Sequence, residues 1–353
     1  MFRMRTGQAR RSDDPRAGGR PPAWRRWVPP AVVSMALVAL LVTPAVMRAA
    51  GGPTGIDIAR TNDPIQPDRG GRVVDVTLES YPVEWPVADG QTQVMWTFNG
   101  QVPGPVVRVR QGDVVRFTLV NRDPRLPHSA DLHAARTPWD RDFRDVPPGK
   151  SLQFYWKAEY PGVWMYHCGT QPVILHIGNG MFGVVIVDPK EGRLPAREFV
   201  LVQHEIYGGP NDLTGMLADT PKYVAFNGER NRYAASPLQA RPGELIRLYV
   251  VDAGPNRSSA FHVVGTIFDR VEVNGNPRNT LYGIQTYTVP PGGGSVFELR
   301  IPEEGRYPVV THAFNDATAG ALGILEVRKD APAASPAPDA LMPGVASRPP
   351  STD

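Results

Sequence analysis

A two-fold internal repeat limits the fold of this chain more than any other feature of its sequence. Five short segments occur twice in the same order, at offsets that change little along the chain. The paired segments are 98–100 with 226–228, 108–121 with 240–252, 146–154 with 289–297, 161–168 with 304–313, and 180–187 with 320–327. Matches that preserve order in this way indicate two copies of one structural unit.

Each copy has the hydropathy pattern of β-structure. The segments VVRFTLV at 114–120 and LIRLYVV at 245–251 are typical of strands with one buried face. The chain holds 35 Gly and 38 Pro among 353 residues, which favours short strands and many turns. We find no helical period of useful length within the repeats. The sequence therefore predicts an all-β fold of two tandem Greek-key β-sandwiches.

The repeat also predicts the domain organisation. We expect a first domain at 71–192 and a second domain at 193–329, preceded by a linker at 51–70. The segment 330–353 is rich in Ala, Pro and Ser, and this composition is typical of a disordered tail.

Residues 1–50 form an Arg-rich N-terminus with a signal or anchor segment. An uncharged run from Trp27 to Met47 is long enough to cross a bilayer. The basic flank before it predicts a cytoplasmic N-terminus and an exported remainder, in the periplasm or on the extracytoplasmic face of the membrane. The small residues that follow also allow a cleaved signal peptide. Because the basic excess lies here, the net charge of +3 does not indicate nucleic-acid binding, and none is predicted.

The single cysteine lies within a set of metal-binding residue types. Cys168 is followed by His176 and Met181, and His128 lies upstream. A thiolate, two imidazoles and a weak axial thioether are the ligands of electron-transfer copper sites. A lone buried cysteine and a core methionine are the structural alternative. The presence of all four ligands at this spacing favours copper.

A second set of histidines is interleaved with the first. His133 follows His128 closely, and His167 directly precedes Cys168. Neighbouring side chains on a strand point to opposite faces, so Cys168 and His167 can bind two different metals. In the second repeat His312 stands in the place of His167, whereas alanines replace the cysteine and the methionine. The second domain has therefore lost the electron-transfer site but kept the outward histidine.

These motifs resemble those of copper-containing nitrite reductases, which are two-domain cupredoxin enzymes of the multicopper oxidase superfamily. The resemblance runs from about Val73 to Val327 and rests on HSADLH, on YHC with its downstream His and Met, on SAFHVVGTIFD and on the isolated His312. It implies two cupredoxin-like sandwiches, a homotrimer, and one type 1 and one type 2 copper per subunit. The implied reaction is the reduction of nitrite to nitric oxide, with electrons from an external donor such as a small cupredoxin or cytochrome.

The resemblance implies a role for individual residues. The implied type 1 copper ligands are His128, Cys168, His176 and Met181. The implied type 2 copper ligands are His133, His167 and, from a neighbouring subunit, His312. The implied catalytic residues are Asp131 and His262, with Val264 crowding the substrate. Gln285 and Thr286 lie where the family has a polar group that supports the catalytic histidine.

The chemistry of Asp131 and His262 agrees with these roles. Reduction of nitrite consumes protons, and both side chains are reasonable general acids. Asp131 lies two residues before His133, so an extended strand places both on one side. The structural alternatives are a turn-forming aspartate and a satisfied core histidine. His204 matches no role in the family and is expected to be structural.

A laccase-type trinuclear oxidase is excluded, because it needs eight histidines in His-x-His and His-Cys-His patterns and this chain has 7 His with neither pattern. Two other functions compete with nitrite reduction. A membrane-tethered cupredoxin could carry electrons or bind copper without turnover. A mononuclear-copper oxidoreductase could act on another small substrate, such as hydroxylamine or oxygen.

The segment after His312 is about one residue shorter than the family pattern, which bears on substrate access.

Overall fold

The computed structural model describes residues 58–334 of the chain. Both the predicted signal or anchor segment and most of the predicted tail therefore lie outside the described residues. Within 58–334, no helix is long and apolar enough to cross a bilayer. The described residues are mostly strands arranged in two successive sandwiches, which confirms the predicted all-β fold.

Residues 58–188 form the first sandwich. Its sheets have the strand orders β1-β7-β5-β2-β3 and β4-β9-β8-β6. In chain order the elements are β1 (Ile58–Arg60), β2 (Val73–Ala88), β3 (Gln91–Phe98), β4 (Val107–Arg110), β5 (Val114–Asn121), β6 (Asp131–Leu132), α1 (Trp139–Asp142), β7 (Ser151–Lys157), β8 (Gly162–His167), α2 (Val173–Gly178) and β9 (Phe182–Asp188).

Residues 197–327 form the second sandwich. Its sheets have the strand orders β11-β10-β13-β18-β15-β16 and β12-β20-β19-β14-β17. The elements are β10 (Arg197–Ile206), α3 (Leu213–Leu217), β11 (Tyr223–Phe226), α4 (Arg232–Ala235), β12 (Leu238–Ala240), β13 (Leu245–Gly254), β14 (Ser259–Val263), β15 (Phe268–Val273), β16 (Thr280–Ile284), β17 (Tyr287–Val289), β18 (Gly294–Arg300), β19 (Gly305–Thr311), α5 (Phe314–Ala319) and β20 (Leu322–Val327). The domain boundary predicted after residue 192 lies between β9 and β10, and it stays a prediction.

The repeated FNG motif makes the same turn in both sandwiches. Asn99 and Asn227 each have φ of 56°, a left-handed conformation that asparagine tolerates well. The Oδ1 of Asn99 accepts a hydrogen bond from the Glu79 N–H, and the Oδ1 of Asn227 accepts one from the Val202 N–H, both at 2.7 Å. The sequence repeat is therefore also a repeat of backbone geometry and of hydrogen bonding.

Each sandwich has its own apolar core, and a third cluster lies between them. Phe117 and Trp156 are buried in the first core, and Phe261 and Phe297 in the second. The shared cluster contains buried residues of β8, β9, β10 and β13. Burial of apolar surface between the sandwiches stabilises their contact. Strand β8 is thereby held between the first core and the second domain.

A close contact between Tyr166 and Gly183 fixes the register of β8 just before the predicted metal ligands. Tyr166 pairs with Gly183 on β9, and its hydroxyl donates a hydrogen bond to the Pro105 carbonyl at 2.7 Å. A Cβ at Gly183 would lie 2.2 Å from the Tyr166 ring, so only glycine fits beneath it. The tyrosine thus holds the end of β8 in place.

Candidate copper centres

A thiol and two imidazoles converge inside the first sandwich. The Nδ1 atoms of His128 and His176 lie 3.2 Å apart. The Sγ of Cys168 lies 3.3 Å from the His176 Nδ1 and 3.8 Å from the His128 Nδ1. All three side chains are buried. One sulfur and two nitrogens facing a common point suit copper.

Different elements supply these donors. Cys168 directly follows β8, His176 lies on α2, and His128 forms an isolated antiparallel β-bridge with Val146. Met181 is fully buried in the same core, and its carbonyl accepts a hydrogen bond from the Cys168 N–H at 3.0 Å. The structure therefore brings all four predicted type 1 residues to one place.

The surroundings of Cys168 favour the thiolate. Burial opposes ionisation, but the His128 and His176 rings outweigh it and hold the pKa of the thiol well below its ordinary value. The Ser129 N–H also points at the sulfur, at 3.3 Å. Because the thiolate is the form that binds metal, the cysteine is prepared for a ligand role.

A second donor set lies at the outer face of the same sandwich. The Nε2 atoms of His133 and His167 lie 3.1 Å apart, and the Oδ2 of Asp131 lies 3.8 Å from the His167 Nε2. The Nδ1 of His133 hydrogen-bonds to the Gly292 carbonyl at 3.1 Å, and the Nδ1 of His167 to the Cys168 carbonyl at 3.0 Å. A carbonyl can only accept, so each Nδ1 carries the hydrogen and each Nε2 lone pair is free for a metal.

The surroundings of His133 favour its neutral imidazole. Loss of hydration and then the neighbouring His167 ring lower the pKa of His133. An imidazole must be neutral to bind a metal, so this shift supports ligation.

The alternation of β8 separates the two sets. Tyr166 and Cys168 belong to the core of the first sandwich, whereas Val163 and Met165 belong to the cluster between the sandwiches. His167 follows Met165 by two residues and shares its side of the strand. The two donor sets are therefore on opposite faces of the strand end and are joined by one peptide bond.

His262 and His312 lie together on the second sandwich. Their ring centroids are 5.1 Å apart, and the His262 Nδ1 hydrogen-bonds to the Gln285 carbonyl at 2.5 Å. His312 is exposed, and Val264 is 41% exposed. Within the described part of one chain, the donor cluster of Asp131, His133 and His167 does not include His312. One chain therefore holds the predicted second site as two separate parts.

The sequence did not predict two groups that orient these ligands. One is the Gly292 carbonyl on His133, a backbone group that carries no residue identity. The other is Asp123, whose Oδ2 lies 3.2 Å from the His128 Nε2. The Asp-Pro dipeptide marks a turn there, but it does not reveal the histidine contact. Gln285, which the resemblance implies for support of His262, contacts it through its backbone carbonyl. His204 is buried, and its Nε2 accepts a hydrogen bond from the Gly228 N–H at 2.9 Å, as expected of a structural histidine.

The chain is similar to known copper proteins. The sequence model of the multicopper oxidase family matches residues 81–192. A copper-containing nitrite reductase of Neisseria meningitidis serogroup A is 38% identical over 269 residues, which are 72% of this chain and 69% of that protein.

Solved structures give the same picture. The copper nitrite reductase from Nitrosomonas europaea has a TM-score of 0.72 and 42% sequence identity, and the match covers 74% of this chain and 95% of that one. The Cu-containing nitrite reductase from Thermus scotoductus has a TM-score of 0.72 and 37% identity, with coverage of 80% and 68%.

Proposed function

The chain belongs to the family of copper-containing nitrite reductases, and on this premise we propose that it reduces nitrite to nitric oxide at a centre shared between subunits. The observation that carries the proposal is the arrangement around Cys168 and His167. Two adjacent residues reach two different donor sets, one buried and one at the outer face.

The residues present fit copper at both places. His128, Cys168 and His176 offer the sulfur and nitrogen donors of a type 1 site, with Met181 beside them. His133 and His167 offer two imidazoles of a type 2 site. Copper bound at these centres supplies one-electron redox chemistry and an open position for a small anion.

The reaction determines what the protein must supply. Nitrite takes up one electron and two protons, one N–O bond breaks, and the products are nitric oxide and water. Nitrogen is thereby reduced by one oxidation state. The side chains must therefore deliver two protons to the oxygen that leaves, and they must do so beside the type 2 ligands.

Asp131 is the first proton-delivering group of the proposal. It pairs in register with His167, and its carboxyl lies beside the His167 Nε2. A carboxyl beside a type 2 ligand could pass a proton to an oxygen of bound nitrite and recover one from water.

His262 is the second. Its Nδ1 is fixed on the Gln285 carbonyl, which leaves the Nε2 to hold and release a proton. Val264, two residues further along, has an exposed apolar side chain and, in the proposed site, would limit the space around a bound anion.

A homotrimer would complete the site. His262 and His312 are not part of the Asp131 cluster of their own chain, and in the proposed trimer a neighbouring chain would bring its His262 and His312 to that cluster. Contacts of this head-to-tail kind close into a ring when the rotation allows it.

The Cys168–His167 peptide is the proposed electron route, because it is the shortest covalent connection between the two donor sets. An external protein, a small cupredoxin or a cytochrome, would donate the electron at the Cys168 set. We further propose that residues 1–50 direct export, with either membrane tethering or cleavage, so that turnover takes place outside the cytoplasm.

The test uses the full copper-loaded chain in detergent, without oxygen, with a chemical electron donor and nitrite. A nitric oxide electrode follows product, and metal analysis counts copper per chain. We expect nitric oxide from the native protein. We expect His312→Ala to lose one of two coppers and its turnover while keeping the visible thiolate–copper absorption.

A matched pair of variants tests proton delivery. Asp131→Asn should reduce turnover by roughly 10²-fold or more, whereas Asp140→Asn, an exposed carboxylate on α1, should not. Full copper occupancy in His312→Ala would refute the shared site. A native protein whose visible copper cycles but releases no nitric oxide would favour an electron carrier instead.

A further inference from the structure

A carboxylate lies behind one of the two histidines of the buried donor set. The Asp123 Oδ2 is 3.2 Å from the Nε2 of His128, on the side of the ring away from Cys168. The two side chains are 3% and 0% exposed. Water therefore does little to weaken the interaction between the carboxylate and the ring.

The turn before His128 holds this carboxylate in place. The Asp123 Oδ1 accepts hydrogen bonds from the N–H groups of Arg125 and Leu126, at 2.8 and 2.9 Å. The Asp123 N–H in turn donates to the Oδ1 of Asn121 at 2.9 Å. One carboxylate oxygen thus builds the turn, and the other is left to face the imidazole.

The contact fixes which nitrogen of His128 carries the hydrogen. A carboxylate can only accept, so the hydrogen is on Nε2, and the Nδ1 lone pair faces the Cys168 sulfur and the other histidine. His176 differs, because among the described residues no carboxylate contacts it and the Trp96 ring lies 4.9 Å from its own. The two imidazoles therefore have unequal partners.

We propose that Asp123 is a positioning residue that lowers the reduction potential of the buried copper by acting through His128. A carboxylate hydrogen-bonded to a metal-bound imidazole makes that ring a stronger donor. A nearby negative charge also favours the more highly charged metal ion. Both effects stabilise the oxidised state and so promote release of the electron towards His167. The inference rests on the proposed function, since it assumes copper at the Cys168 set.

The experiment measures the potential of the copper at the Cys168 set in the full copper-loaded protein, without nitrite. A redox titration followed by the visible thiolate–copper absorption compares native protein with Asp123→Asn, which keeps the turn but removes the charge. We expect the one-electron equilibrium to shift about tenfold towards the reduced state, which is about 59 mV. Asp145→Asn is the matched control, because that carboxylate accepts from Thr170 and not from a ligand.

A second variant keeps the result decisive. Asp123→Ser also retains a turn-forming oxygen and should raise the potential in the same direction. An unchanged or lower potential in both variants, with the absorption intact, would overturn the proposal. Loss of the absorption in both, with the control unaffected, would also overturn it, because Asp123 would then be required for binding. A native protein without the absorption would instead refute the copper assignment of the proposed function.

Discussion

Replacing Asn227 with alanine tests whether the repeated FNG turn is held by the contacts that the structure shows. The Oδ1 of Asn227 accepts from the Val202 N–H at 2.7 Å. Its Nδ2 donates to the Val200 carbonyl at 2.7 Å and to the Tyr233 hydroxyl at 2.6 Å. In the first repeat, Asn99 makes the equivalent bond to a backbone N–H in an exposed setting.

Alanine should therefore lower the free energy of unfolding by different amounts at Asn227 and at Asn99. A buried N–H left without a partner, here that of Val202, costs about 1–3 kcal/mol. Alanine in the left-handed conformation adds about 1 kcal/mol. We expect Asn227→Ala to lower the free energy of unfolding by about 2–4 kcal/mol. For Asn99→Ala we expect about 1–2 kcal/mol, because water can replace the lost partner.

Urea unfolding followed by tryptophan fluorescence measures the free energy of unfolding of both variants under the same conditions. Asn227→Gly serves as a control, because glycine removes the side-chain bonds but relieves the backbone strain. It should be less destabilised than Asn227→Ala. Equal losses for Asn99→Ala and Asn227→Ala, or a glycine variant as unstable as the alanine variant, would refute the reasoning.

Two further predictions concern copper binding at Cys168 and the buried carboxyl group of Glu205. Cys168→Ala should abolish the visible copper absorption and donor-driven turnover while one copper per chain remains, and absorption that persists would contradict the ligand assignment. Burial raises the pKa of Glu205 to about 7, so its contribution to stability is present below about pH 4.5 and is lost as the pH rises to 7. Between pH 4.5 and 8, the free energy of unfolding measured with urea should fall by roughly 3 kcal/mol less in Glu205→Gln than in the native protein. An equal fall in both proteins would count against this prediction.

The strands and donor residues could be predicted because their signals are local. Alternation along β8 places Cys168 and His167 on opposite faces, and the repeated motifs recur in the same turns. His312 is not in the described donor cluster that holds His133, and the site shared between subunits stays a prediction.

The groups that orient His133 and His128 could not be predicted, because these contacts depend on the path of the chain in three dimensions. The short helix α2, which carries His176, is too brief for a helical period to show in the sequence. The carbonyl of Gly292 meets His133 across 159 positions of sequence. The Asp123 contact depends on which way a turn directs one oxygen atom.

The Gly292 contact gives the second domain a role in the copper site of its own chain. A Cβ at Gly292 would lie 3.3 Å from the His133 Cε1, so a side chain there would press on the ring that its carbonyl orients. The proposed trimer gives the same domain a second role, since its His312 would serve a neighbour. The second domain, which lacks the cysteine and methionine of the buried site, thus orients His133 within its own chain. In the proposed trimer it would also provide His312 to a neighbouring chain. Any mutation that shifts this domain against β8 should therefore disturb the type 2 centre before the buried type 1 centre.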